Sequence, residues 1–145
     1  MAKRVREIMT EQPACCTPDT TLDAVARMMV DHDCGEIPVV DVNERVIGVI
    51  TDRDIVCRVV AQGENPAAHT VAKCMSQPAI TIDENASIDD AVSMMEKNMI
   101  RRVPVVTERG QCRGILSQAD IARMRPASEV AEFVREVSQE TLRAH

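Results

Sequence analysis

The chain is 145 residues long and 45% apolar, enough for a folded core, and its formal charge of −6 gives no general basic field to attract nucleic acid. It has no Trp, no Tyr and a single Phe, so it offers no aromatic platform for single strands. No apolar run approaches a membrane span and Met1 to Thr10 lacks a secretory signal, which sets the expectation of a soluble, cytoplasmic protein with neither a nucleic acid nor a membrane partner.

In chain order, Val5 to Met9 reads as a short helical turn, Pro13 breaks the chain, and Ala14 to Thr17 is extended. Pro18-Asp19-Thr20-Thr21 is a turn leading to a helix cap. Leu22, Val25, Ala26, Met29 and Val30 recur at helical spacing and predict a helix to about His32. Asp33 to Glu36 is a polar turn. Ile37 to Val40 and Val46 to Ile50 are short β-branched runs, predicted as antiparallel strands around a turn at Asp41 to Arg45. Arg53 to Ala61 is a second helix, with Ile55, Val56, Val59 and Val60 apolar. Gly63, Asn65 and Pro66 mark a linker.

The order then repeats. Ala79 to Ile82 is extended, and Ile88, Ala91, Val92 and Met95 form a helix stripe. Val103 to Val106 and Cys112 to Leu116 form a hairpin, and Gln118 to Met124 closes the unit. Asp54 and Asp120 stand 66 residues apart, and positions 21 to 55 align with 87 to 121 at that offset without a gap. Such a period marks a duplicated unit. Neither unit is large enough to bury both faces of its sheet. The expected fold is therefore α+β, two tandem β-α-β-β-α repeats packed sheet to sheet with pseudo-twofold symmetry, leaving two equivalent clefts. The repeats fall at 1–62 and 71–126, with a linker at 63–70. A C-terminal amphipathic helix at 127–145 follows, capped by Ser128. Its apolar face (Val130, Phe133, Val134, Val137, Leu142) suits packing on its own module, on a second copy or on a client protein.

Two stretches carry the chemistry: Gly48-Val49-Ile50-Thr51-Asp52-Arg53-Asp54 and Gly114-Ile115-Leu116-Ser117-Gln118-Ala119-Asp120. Each is a strand ending in a Thr or Ser that opens a helix, with Asp three positions later. That spacing suits a helix cap as well as a ligand site. Cys15, Cys16, Cys34, Cys57, Cys74 and Cys112 form no C-x-x-C and no His stands at ligand spacing, which argues against a zinc site. Adjacent Cys15 and Cys16 point to opposite faces of an extended piece, so at most one of them is reactive. His32, His69 and His145 share no catalytic spacing, and no nucleophile–base pair is legible, so neither an enzyme nor a catalytic cofactor is expected.

The doublet Ile37-Pro38-Val39-Val40 and Val103-Pro104-Val105-Val106, with the two Gly-x-x-Thr/Ser-x-x-Asp turns, resembles a cystathionine-β-synthase-type (CBS) domain pair, or Bateman module, of the stand-alone prokaryotic kind. The resemblance covers residues 5 to 124. It implies a regulatory module that senses AMP, ADP or ATP and signals to a partner by changing shape. Asp54 with Thr51, and Asp120 with Ser117, would hold ribose. A carboxylate can accept two hydroxyl hydrogen bonds at once.

The resemblance also implies that each cleft mixes the repeats. Ser76, Ala79, Ile80 and the loop Ile100-Arg101-Arg102 would complete the Asp54 cleft. Thr10, Ala14, Cys15 and the loop Cys34-Gly35-Glu36 would complete the Asp120 cleft, adenine resting on the extended piece in each. Arg101 and Arg102, with Arg53 as a further candidate, are phosphate groups in this scheme, which favours the Asp54 cleft for a phosphorylated nucleotide. A homodimer and an unidentified client are the implied protein partners. The alternatives are a structural or oligomerisation module with empty clefts, or a binder of NAD(H) or S-adenosylmethionine, with Cys15 or Cys34 redox-sensitive.

Overall fold

The computed structural model describes residues 3–11 and 14–143, with side chains described through 139. Pro13, His145 and the side chain of Leu142 lie outside the described residues. The elements are α1 (Val5–Ile8), β1 (Thr10–Glu11), α2 (Leu22–Asp31), β2 (Glu36–Val40), β3 (Val46–Thr51), α3 (Asp52–Arg58), β4 (Ile82–Asp83), α4 (Ile88–Asn98), β5 (Arg102–Val106), β6 (Cys112–Ser117), α5 (Gln118–Ala122) and α6 (Ala127–Arg143). This is the α+β duplication that the 66-residue period announces, with a C-terminal helix added. No helix among the described residues is long and apolar enough to cross a membrane.

The chain divides into two compact units, and the division does not follow the repeats. One comprises Met1–Gln12, Thr81–Glu108 and Arg113–His145; the other comprises Pro13–Ile80 and Arg109–Cys112. The leading segment of each repeat is thus built into the unit that holds the rest of the other.

In the first unit a sheet of order β1-β6-β5-β4 forms. Thr10 pairs antiparallel with Ile115, and Ile82 pairs parallel with Val105. The second unit repeats this layout in sparser form. β2 and β3 make an antiparallel hairpin, Ser76 bridges to Val49 on one edge, and Cys16 bridges parallel to Val39 on the other.

The helices show which apolar residues count. In α2, Leu22, Val25 and Met29 are buried at helical spacing, whereas Val30, expected on the same stripe, is 69% exposed. In α3, Ile55 is buried and the helix stops at Arg58; a 3₁₀ turn at Val60–Gln62 replaces its predicted last turn. Val59 is buried there, while Val56 and Val60 face water. Each hairpin strand offers its alternate residues, Ile37, Val39 and Ile50 in one unit and Val103, Val105 and Leu116 in the other, to the helices of its own unit.

The stretch 63–70 is more ordered than a linker. Asn65 caps a short 3₁₀ turn at Pro66–Ala68 through Ala67 N–H, and Thr70 bridges to Thr21. The Thr21 hydroxyl does not cap α2; its leading amide, Leu22 N–H, donates to His69 O at 3.0 Å. In the other unit Ile88 N–H donates to Lys3 O at 3.1 Å, and Ser87 adds a side-chain cap to Asp90 N–H. His69, just ahead of the second repeat, therefore does for α2 what Lys3 does for α4, satisfying donors that a helix start leaves open.

The C-terminal helix lies on its own unit. α6 packs on α4 and α5, and Phe133 and Val137 join the core formed by Val5, Ile88, Met95, Leu116 and Ile121. Ser128 is not its cap, because the helix already begins at Ala127 and Val130 N–H donates to Pro126 O.

Candidate functional site

The two Thr/Ser-x-x-Asp turns form the same structure in the two units. Thr51 Oγ1 accepts from Asp54 N–H at 3.0 Å and Asp54 Oδ2 accepts from Thr51 N–H at 3.0 Å. Ser117 and Asp120 repeat the reciprocal pair at 3.1 Å and 3.0 Å. These are capping boxes, so the helix-start reading of the motif is realised in both copies. Thr51→Ala is accordingly expected to cost about 1 kcal/mol of stability. Urea unfolding measures it, and an unchanged midpoint would rule out the cap's contribution.

The cap uses one carboxylate oxygen. Asp54 Oδ1 faces Arg58 Nε at 3.7 Å, and Asp120 Oδ1 meets Arg123 Nη1 at 2.9 Å. The carboxylates are 12% and 5% exposed, while their arginines are 54% and 73% exposed. The aspartates are therefore fixed, and the arginines extend to solvent, Arg58 also donating from Nη1 to Cys74 O at 3.1 Å. A carboxylate oxygen carries two lone pairs, so each Asp retains capacity to accept further hydrogen bonds beyond its cap. Arg58 and Arg123 escaped the sequence reading, although their spacing of four and three from the acids is a legible helical signal.

Gly48 and Gly114 show why each turn begins with glycine. A Cβ at Gly48 would lie 2.7 Å from Ser76 O, and one at Gly114 would lie 2.5 Å from Thr10 O. The strand leading to each turn is crossed by the leading segment of the other repeat: Val49 N–H donates to Ser76 O and Ser76 N–H returns to Val49 O. The structure thus brings Ser76 to the Thr51–Asp54 turn and Thr10 to the Ser117–Asp120 turn, each within one unit. Ala79 and Ile80 belong to the unit of Asp54, and Ile80 leaves an apolar side chain 43% exposed. Ala14 and Cys15 belong to that unit as well, not to the unit of Asp120.

The loops before the strand prolines sit against the turns of their own repeats. Asp52 N–H donates to Gly35 O at 2.9 Å, and Gln118 N–H donates to Arg101 O at 2.8 Å. Arg101 and Arg102 are therefore built into the unit of Asp120, and Cys34, Gly35 and Glu36 into that of Asp54. The sequence reading placed the Arg101-Arg102 loop at the Asp54 cleft and the Cys34-Gly35-Glu36 loop at the Asp120 cleft; the backbone bonds tie each loop to the turn of its own repeat. The Ser117 turn carries Asp120 and Arg123 with the Arg101 backbone against it; the Thr51 turn carries Asp54, Arg58 and Asp52 with the Gly35 backbone against it. Arg53 is exposed, with its backbone N–H turned back on Asp52 Oδ1 at 2.8 Å.

Gln118 adds a feature the sequence did not flag. Its Oε1 is buried and has no hydrogen-bond partner among the described residues. Such acceptors are uncommon in folded proteins and call for a donor. No group of three or more His, Cys, Asp or Glu side chains among the described residues is arranged to hold a metal ion.

Exchanged leading segments, paired hairpins and twin capped turns define a CBS pair. The CBS domain family model matches residues 5–61 and 71–127, and the chain belongs to the CBS domain family. Hypoxic response protein 1 of Mycobacterium tuberculosis is 36% identical over 132 residues, covering 91% of this chain and 92% of that protein. A crystal structure of Hypoxic Response Protein I with two coordinated zinc ions superposes with a TM-score of 0.77 at 37% identity, over 86% of this chain and all of that one. The CBS domain pair of protein MJ0100, solved in complex with 5′-methylthioadenosine and S-adenosyl-L-methionine, gives a TM-score of 0.76 at 27% identity, over 86% of this chain and 96% of that chain.

Proposed function

We propose that the chain is a regulatory module that binds adenosine compounds at its two Asp turns and passes the resulting change of shape to a partner protein. The observation that carries this reading is the duplicated carboxylate. Asp54 and Asp120 are each fixed by one oxygen, while the other faces an arginine that reaches solvent. A vicinal diol is the natural occupant of a rigid acceptor of this kind. The MJ0100 complex supports the adenosine class, and exposed Ile80 supports an apolar resting place for a purine.

The two turns divide the ligands by charge. Arg101 and Arg102, carried on the loop that meets Gln118, favour AMP, ADP or ATP at the Asp120 turn, because the guanidinium fork suits phosphate oxygens. The acids around Thr51 favour an uncharged or cationic adenosine compound there, methylthioadenosine or S-adenosylmethionine. A ligand changes the module's shape only through unequal affinity for two shapes. The receiving partner is in the first instance a second copy of the chain, then a client.

Calorimetric titration of AMP, ADP, ATP, methylthioadenosine, S-adenosylmethionine and NAD into wild type, Asp54→Asn and Asp120→Asn tests this. Asparagine keeps a carbonyl for the cap and removes the second acceptor and the charge. Asp120→Asn is expected to weaken phosphorylated ligands at least about tenfold, the loss of one charge-assisted bond, with Asp54→Asn leaving them unchanged. No binding across the panel would leave a purely structural module, and equal losses in both variants would end the charge-based division. Size-exclusion chromatography with and without nucleotide reads the assembly.

A further inference from the structure

Two cysteines far apart in sequence meet in one unit, and their surroundings differ from those of the other four. Cys16 is locked to the edge of β2, its N–H donating to Pro38 O at 3.0 Å and its O accepting from Val40 N–H at 2.8 Å. That pairing turns the Cys16 side chain into the core, where it is 4% exposed, and turns Cys15 to the opposite face, half-buried. The turn of the second hairpin meets the turn of the first from the other side. Gly110 O accepts from Val46 N–H at 3.0 Å, Cys112 N–H donates to Glu44 O at 3.2 Å, and Gln111 bridges to Arg45. These two backbone attachments bring the thiols of Cys15 and Cys112 into hydrogen-bond contact.

The contact acts selectively. Hydrogen bonding from Cys112 holds the Cys15 thiol below its ordinary value, against the opposing effects of burial and of the Glu44 charge. Burial, with the neighbouring Cys15 charge, pushes Cys16 up to about 12, so Cys16 stays a thiol. Cys74 is buried and raised as well, chiefly by desolvation, whereas Cys15 is shifted downward and has a second sulfur in reach.

We propose that Cys15 and Cys112 are an oxidisable dithiol that a hydroperoxide converts to an intramolecular disulfide. The Cys15 thiolate attacks the peroxide O–O bond, takes one oxygen as a sulfenic acid, and releases water or an alcohol once the leaving oxygen is protonated. The Cys112 sulfur then attacks the Cys15 sulfur, the S–S bond forms, and the sulfenic oxygen departs as water. Two thiols are oxidised and one peroxide is reduced. The product ties the second repeat's hairpin turn to the edge segment of the first.

The test uses the full reduced chain treated with stoichiometric hydrogen peroxide, blocked with N-ethylmaleimide and digested with trypsin without reduction. The expected result is the loss of two thiols per chain, no disulfide-linked dimer, and one cross-linked pair of peptides spanning 7–27 and 110–113. Fragment masses place the bond at Cys15. Cys15→Ser and Cys112→Ser each abolish it, and Cys16→Ala retains it. A bond through Cys16, or peroxide consumed at exposed Cys57 while Cys15 and Cys112 remain alkylatable, would overturn the assignment. Neither outcome depends on whether a nucleotide binds.

Discussion

Gly114→Ala should destabilise the protein by about 3 kcal/mol and lower its melting temperature by roughly 6–12 °C. The added methyl would start 2.5 Å from Thr10 O and 2.8 Å from Met9 Sδ. Met9 can swing aside, but the Thr10 carbonyl is backbone, held in register with Ile115. Either β1 leaves the sheet or β6 bends, and both loosen the strand that delivers Ser117 and Asp120. Hydrogen exchange at Ile115 would rise together with the fall in melting temperature. A variant as stable as wild type, with Ile115 still protected, would show that the crossing is looser than these distances imply. Gly48→Ala meets the equivalent obstacle in Ser76 O at 2.7 Å.

Phe133→Ala should cost about 3–5 kcal/mol, the range for emptying a buried aromatic site. Phe133 is the chain's single aromatic residue and is 2% exposed. It anchors α6 over α4 and α5, beside Met95 and Ile121. Its loss removes contacts from three helices at once, and the surrounding Val, Ile and Met side chains cannot refill a ring-sized space. Urea unfolding gives the magnitude. Limited proteolysis of α6 shows whether the helix comes away. Val134→Ala, at a half-buried position, serves as the comparison and should cost clearly less. Equal effects from both would contradict a Phe133-centred anchor.

Much of the architecture was legible because the duplication displays each pattern twice. Strand alternation in Val46–Thr51 and Cys112–Ser117, and helix period in α2 and α4, agree across the repeats, and local preference and tertiary packing point the same way there. The failures have physical causes. Val30 continues the apolar period of α2 yet faces outward, because composition cannot say how wide a stripe the core accepts. The stretch 63–70 carries turn residues, but its ordering comes from Leu22 N–H and Thr21, which no local pattern reveals. Ser128 is a good cap type placed two residues too late, since α6 already begins at Ala127.

At the site, the capped turns were legible in full, since Thr51–Asp54 and Ser117–Asp120 are local. The non-local parts divide. Ser76 pairs with the strand before Thr51 and Thr10 with the strand before Ser117, while Arg101 joins Gln118 through a bond between two backbone atoms on which the sequence carries no mark. Gln118 Oε1 was invisible for the same reason, because burial without a partner is a property of the assembled unit.

The reciprocal lending of first segments has a bearing on fragmentation. A chain cut between Ala61 and Val71 would yield fragments that each retain the edge belonging to the other's sheet and lack their own. Such halves would be complements in search of one another.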